Sequence, residues 1–93
     1  MSGLQQTIGG AVKAFRIARG RTQENLGVSQ SYVSFLERGG HKNATIAKVD
    51  EIGRSLGVHP LSIVAAAYRL AYPEVSREEL LKQIERELSE IGL

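Results

Sequence analysis

Helix-start residues alternate with helix-stopping glycines and prolines along the whole 93-residue chain, which leaves room only for short helices. Thr7 can cap a helix in which Ile8, Val12 and Phe15 repeat at helical spacing, ending at Arg19-Gly20. Gly9 and Gly10 weaken its first turn. Thr22 can cap a very short second helix over 23–26, stopped by Gly27, and Ser29 a third over 30–38, stopped by Gly39-Gly40. Thr45 can cap a fourth over 46–56 before Gly57. Pro60 suits the first turn of a fifth, which runs to about residue 71 ahead of Pro73. Ser76 and Glu79 have the Ser-x-x-Glu spacing of a capping box and announce a last helix. No alternating run of β-branched and aromatic residues lies between turn signals, so the chain is all-α. The expected organisation is an N-terminal tail (1–6), a compact five-helix body (7–72) and a C-terminal amphipathic helix (73–93).

A chain this short supports one domain, and such domains often gain stability from disulfides, metals or a partner subunit. The sequence has no cysteine, which removes disulfides and thiolate metal sites and fits a reducing cytosol. Only His41 and His59 remain as soft ligands, with no acidic cluster around either, so neither a metal nor a cofactor is expected. No apolar stretch approaches the roughly 18–20 residues that span a bilayer. The first fifteen residues also lack the basic start and apolar run of a secretory signal. The expectation is a cytoplasmic protein with no membrane partner.

Charge is unevenly distributed. Residues 1–72 carry nine bases against four acids, a net +5, and residues 73–93 carry three bases against six acids, a net −3. A basic body with an acidic tail suits a body that meets a polyanion and a tail with another task.

The stretch TQENLGVSQSYVSFLERG, residues 22–39, places two short helices around a Gly-Val turn. At about 100° per residue, Val33 and Leu36 fall on one side of the second helix with Tyr32 at their border. Ser31, Ser34 and Arg38 fall on the other, with Gln30 and Phe35 at its edges. Small hydroxyls, an amide and an arginine allow close entry to the major groove, where glutamine and serine bond base edges and arginine reaches a phosphate or guanine. A polar outer face alone is also what an ordinary surface helix shows.

In this region the sequence resembles the phage-repressor type of helix-turn-helix protein, the xenobiotic-response-element family. GVSQSYVSFLERG is similar to that family's turn and recognition helix, NATIAKVDEIGRSLGV to its following helix, and AFRIARGRTQ to its first helix and the opening of its second. The resemblance covers roughly residues 8–66. It implies double-stranded DNA as partner and regulation of transcription as function. It also implies that Gln23 contacts a phosphate and braces Gln30, and that Gln30, Ser31 and Ser34 read bases with Tyr32 and Phe35 alongside. Phe35 would rest on a thymine methyl. Arg38, Lys42 and Asn43 match positions that grip the DNA backbone, and Val33 and Leu36 match core positions. The family usually has about four more residues between the leucine matching Leu26 and the glycine matching Gly27, including an alanine at a close helix crossing. Their loss removes about 6 Å of helix and rotates the next segment by only about 40°, so the apolar face survives.

In the tail, Leu81, Ile84, Leu88 and Ile91 are spaced 3, 4 and 3 apart, an a/d seam two heptads long that Leu80 widens. Two heptads do not make a stable coiled coil alone, so this helix packs on its own domain, forms a homodimer interface, or does both. Together these readings give a sequence-specific DNA-binding regulator, a repressor or autoregulator occupying a palindromic operator as a homodimer. The alternative is a protein-interaction module on the same scaffold, such as an antitoxin or a polymerase-binding partner. An enzyme is not expected: no triad motif, nucleophile elbow or phosphate-cradling glycine loop is present.

Overall fold

The computed structural model describes residues 3–40 and 44–93, the side chains of Gln5 and Gln6 excepted. Five α-helices and one 3-10 turn follow in the order α1 (Gly3–Ala18), the 3-10 turn (Gln23–Asn25), α2 (Gln30–Glu37), α3 (Ile46–Leu56), α4 (Pro60–Ala71) and α5 (Arg77–Glu90). There is no strand among the described residues, so the all-α reading stands.

Most ends follow their local chemistry. The Ser29 and Thr45 hydroxyls accept from the backbone N–H of Tyr32 and Lys48, each at 3.1 Å. The Ser76 hydroxyl accepts from the Glu79 N–H at 3.1 Å while the Glu79 carboxylate accepts from the Ser76 N–H at 3.0 Å, completing the capping box. Gly57 ends α3 in the left-handed region, at φ 70°. His59 caps α4 through Nδ1, which accepts from the Leu61 N–H at 3.0 Å ahead of Pro60.

Two ends differ from expectation. Helix α1 starts at Gly3, not after Thr7, so residues 3–6 belong to the helix rather than to a tail. Thr7 turns its hydroxyl back to donate to the Leu4 carbonyl at 2.9 Å, a bond available to threonine inside a helix. Thr22 makes no side-chain cap, and its hydroxyl instead accepts from the Asn25 amide at 3.3 Å. The second helix is thus reduced to one 3-10 turn, since three residues before Leu26 do not complete an α-turn.

The core is built where α1 lies along α4, with α2 and α3 packed around them. Val12, Leu26, Val33, Leu36, Ile52 and Ile63 are its fully buried large side chains. Each contributes on the order of 1.5–3 kcal/mol through removal from water. Val33 and Leu36 face inward as their spacing demands, and the short turn before Gly27 still buries Leu26 completely. The tightest approach lies between α1 and the end of α2. A Cβ on Gly9 would stand 1.8 Å from the Leu36 carbonyl oxygen, so only glycine lets the two backbones meet there. No helix of the described residues is long and apolar enough to cross a membrane.

Helix α5 has no buried residue. It turns back after α4 through residues 72–76, where the Arg69 guanidinium donates to the Val75 carbonyl. Beyond that turn its first turns border α1 and α4, where Leu80 and Leu81 share a groove with Phe15 and Leu70, while Leu81, Ile84 and Leu88 remain 42–50% exposed.

Candidate nucleic-acid interface

Helix α2 is eight residues long and is held by its inner face and its two ends. Of the residues on its polar side, Gln30, Ser31, Phe35 and Arg38 are exposed and Ser34 is half-buried. The outward presentation inferred from the sequence is therefore present. Tyr32 sits lower, half-buried against the core, where burial raises its phenol pKa. Lys42 and Asn43 lie outside the described residues.

A chain of side-chain hydrogen bonds fixes the helix from below. Arg16 on α1 donates to both oxygens of the Glu37 carboxylate, at 2.7 and 3.0 Å, and also to the Arg21 carbonyl at 3.0 Å. Gln23 donates its amide N–H to Glu37 at 3.0 Å, and its amide oxygen accepts from Gln30 at 2.7 Å. A carboxylate can only accept, so Glu37 orients the Gln23 amide, and the Gln23 oxygen in turn orients Gln30. The Gln30 amide is left with its oxygen and one N–H directed elsewhere. Gln23 has its oxygen and one N–H engaged internally, so a single amide N–H remains for a phosphate.

The Arg16–Glu37 pair is sheltered, with side-chain exposures of 16% and 4%. Burial works to raise the Glu37 pKa, but the Arg16 and Gln23 hydrogen bonds and the charges of Arg16 and Lys13 outweigh it and hold the carboxyl below its ordinary value. Arg16 is correspondingly pushed up, chiefly by its hydrogen bond to Glu37.

At the other end of α2, the Arg38 guanidinium lies 5.7 Å from the Phe35 ring centre and donates to the Ser34 hydroxyl at 3.3 Å. The edge of that ring lies against Gly40, where an added Cβ would stand 2.5 Å from ring carbon Cε1. Phe35 is therefore steadied from two sides while 45% exposed.

The sequence reading missed two features. Lys48, in the first turn of α3, places its ammonium 5.5 Å from the Tyr32 ring centre and adds a cation beside α2. Its only signal in the sequence was a position three residues after the Thr45 cap. The basic charge of the body is also largely directed elsewhere. Arg19 donates to the Leu56 and Gly57 carbonyls at 3.2 and 3.1 Å, and Arg21 to the Ser55 carbonyl at 2.5 Å, capping the end of α3. Arg54 pairs with Asp50 at 2.8 Å. Arg38 and Lys48 are the cations placed over the aromatic rings of α2, Phe35 and Tyr32.

Among the described residues no group of three or more His, Cys, Asp or Glu side chains converges as metal ligands would. Comparison with known sequences gives one family. Its profile, described as Helix-turn-helix, matches residues 12–63, which takes in the C-terminal part of α1, the 3-10 turn, all of α2 and α3 and the start of α4. Neither the curated proteins nor the solved structures give a significant match. With more than half of its length matched, and with two short helical elements around a glycine turn presenting a polar outer face, the chain belongs to the helix-turn-helix family of DNA-binding transcription regulators, of the xenobiotic-response-element type.

Proposed function

We propose that the protein is a sequence-specific regulator, acting as a repressor or autoregulator, that binds a palindromic operator as a homodimer with α2 of each protomer in the major groove. The observation that carries this reading is the outer face of α2, whose first residue is oriented through Gln23 and Glu37 back to Arg16. The Gln30 amide retains an oxygen and an N–H on one planar group, the pair that matches the N6 donor and N7 acceptor of adenine. Ser31 and Ser34 supply small hydroxyls, and Phe35 offers an apolar surface for a thymine methyl. Arg38, Lys42, Asn43 and Lys48 are assigned to the phosphates, with the remaining Gln23 N–H.

The exposed apolar stripe of α5, with Leu81, Ile84, Leu88 and Ile91, supports the homodimer. One recognition helix of eight residues offers few base contacts, each good bidentate pair contributing roughly 1–3 kcal/mol of discrimination. Two copies related by a dyad double that and read half-sites about 34 Å apart.

The test starts with selection of bound duplexes from a random pool, followed by gel-shift titration of variants on the selected site and on a scrambled one. Gln30→Ala is expected to lose about 1–3 kcal/mol on the selected duplex only. Lys42→Ala should weaken both about equally. Equal losses on both duplexes for Gln30→Ala would refute the base-reading assignment. Affinity that is insensitive to salt between about 50 and 200 mM would refute phosphate contact altogether.

A further inference from the structure

We propose that the homodimer closes by reciprocal insertion, the α5 helix of each protomer lying antiparallel to its mate in the groove between α4 and α5 of the other. This rests on the homodimer reading above and specifies its geometry. The α4–α5 hairpin is splayed rather than closed. Between its arms lies a groove of about 610 Å³ whose apolar wall includes Leu61, Val64, Tyr68, Tyr72, Leu80 and Ile84. The Tyr68 and Tyr72 rings, with centres 6.1 Å apart and tilted by 32°, form one side of it. A second groove, of about 550 Å³, flanks α5 on its other side, against Phe15 and Leu70. The helix thus has open apolar space on both sides. Further along, Leu88, Ile91 and Leu93 line neither groove and are 45–88% exposed.

One molecule therefore carries an unfilled apolar groove and, on the same hairpin, an uncovered apolar helix end. A two-fold axis satisfies both at once, which a single foreign helix would not. The area is adequate. Seven exposed large apolar side chains lie in this groove or on the uncovered helix end, Leu70 and Leu81 belonging to the second groove. At on the order of 60 Å² each when half-exposed, they supply roughly half of the ~800 Å² per partner of a stable interface. That leaves a polar rim in the usual proportion.

Charge decides the direction. The second half of α5 carries Glu85, Glu87 and Glu90 against Arg86, a net −2. Its first half, 77–82, is neutral, and Arg69 lies at the same end of the groove. Antiparallel insertion sets the acidic end of one helix beside Arg69 and Arg77 of the other. Parallel insertion would set the two acidic ends together. In the antiparallel arrangement Leu88 meets Tyr68 and Tyr72 of the mate, which makes α4 part of the interface. A simple α5–α5 seam would leave that wall in water.

The experiment pairs two single variants of the full chain, Tyr68→Lys and Leu88→Glu, at positions 41% and 45% exposed, so that each protomer keeps its fold as checked by circular dichroism. Sedimentation equilibrium should find each variant alone weakened as a dimer by about 100-fold, because each homodimer buries two unpaired charges. An equimolar mixture should recover the dimer, because the mixed species has one native contact and one Lys–Glu contact. Two of the three tyrosines line the groove, so tyrosine emission should change on dilution of the wild type through its dissociation range. Dissociation by Leu88→Glu but not by Tyr68→Lys, or no recovery on mixing, would overturn the insertion geometry and leave a homodimer through α5. A wild type that is monomeric at all concentrations would overturn the homodimer reading itself.

Discussion

Gly9→Ala and Gly10→Ala, one residue apart on α1, should move stability in opposite directions. At Gly9 the new methyl would stand 1.8 Å from the Leu36 carbonyl oxygen and 2.7 Å from its carbon, where ordinary contacts begin near 3.4 Å. The obstacle is backbone, so no rotamer change relieves it. Helix α1 must move off the end of α2 by about 1.6 Å, the difference between 3.4 and 1.8 Å. A shift of that size forfeits more than the quarter to half of the dispersion attraction lost for a gap of about 0.5–1 Å. Overpacking of this kind costs about 1–3 kcal/mol and at times more, and a backbone obstacle belongs at the upper end. Alanine returns about 1 kcal/mol through helix propensity. The net loss is about 2 kcal/mol, or a fall in Tm of roughly 8–16 °C for a domain of this size. At Gly10 the nearest atom to the new methyl is Leu70 Cδ1 at 3.6 Å, an ordinary contact. That substitution keeps the propensity gain and should raise Tm by about 4–8 °C. Thermal melts by circular dichroism at one fixed protein concentration measure both, since a dimer's Tm depends on concentration. If Gly9→Ala melted at or above the wild-type temperature, α1 would not be seated on the recognition helix as described.

The Glu37 carboxyl is held below its ordinary pKa in the folded state, so it favours folding at every pH above the unfolded carboxylate range. That support should disappear as pH falls through the folded-state value. Glu37→Gln should therefore cost stability at pH 7, about 1.5–3 kcal/mol for the lost charged hydrogen bonds, and flatten the acid limb of Tm against pH. An unchanged acid limb would remove Glu37 from the acid response. Truncation after Tyr72 removes a helix with no buried residue, so the remaining body should keep its helical fold while sedimenting as a monomer; an unchanged oligomer would exclude α5 as the principal interface. Gly40→Ala places a methyl 2.5 Å from the Phe35 ring edge, so it should tilt the ring and change preference at one base position while leaving non-specific affinity unaltered. Identical selected sites for wild type and variant would show that Phe35 reads nothing.

What the sequence determined by itself is what acts across three or four residues. The caps at Ser29, Thr45 and Ser76, the glycine stop at Gly57 and the inward pair Val33 and Leu36 all follow from side chains meeting backbone groups one turn away. The family resemblance added the Gln23–Gln30 brace, which is present at 2.7 Å. Tertiary structure decided what joins distant segments. Arg16 meets Glu37 across 21 residues, and Arg19 and Arg21 reach the end of α3 across 34–38. No local pattern marks such partners, so these arginines read only as undirected positive charge. Gly9 likewise reads as a weak helix position until α2 is laid against it, because the value of a missing Cβ depends on a backbone that arrives 27 residues later in the chain. Tertiary structure also left α5 uncovered by its own domain, since an apolar stripe specifies that something must cover it but not what.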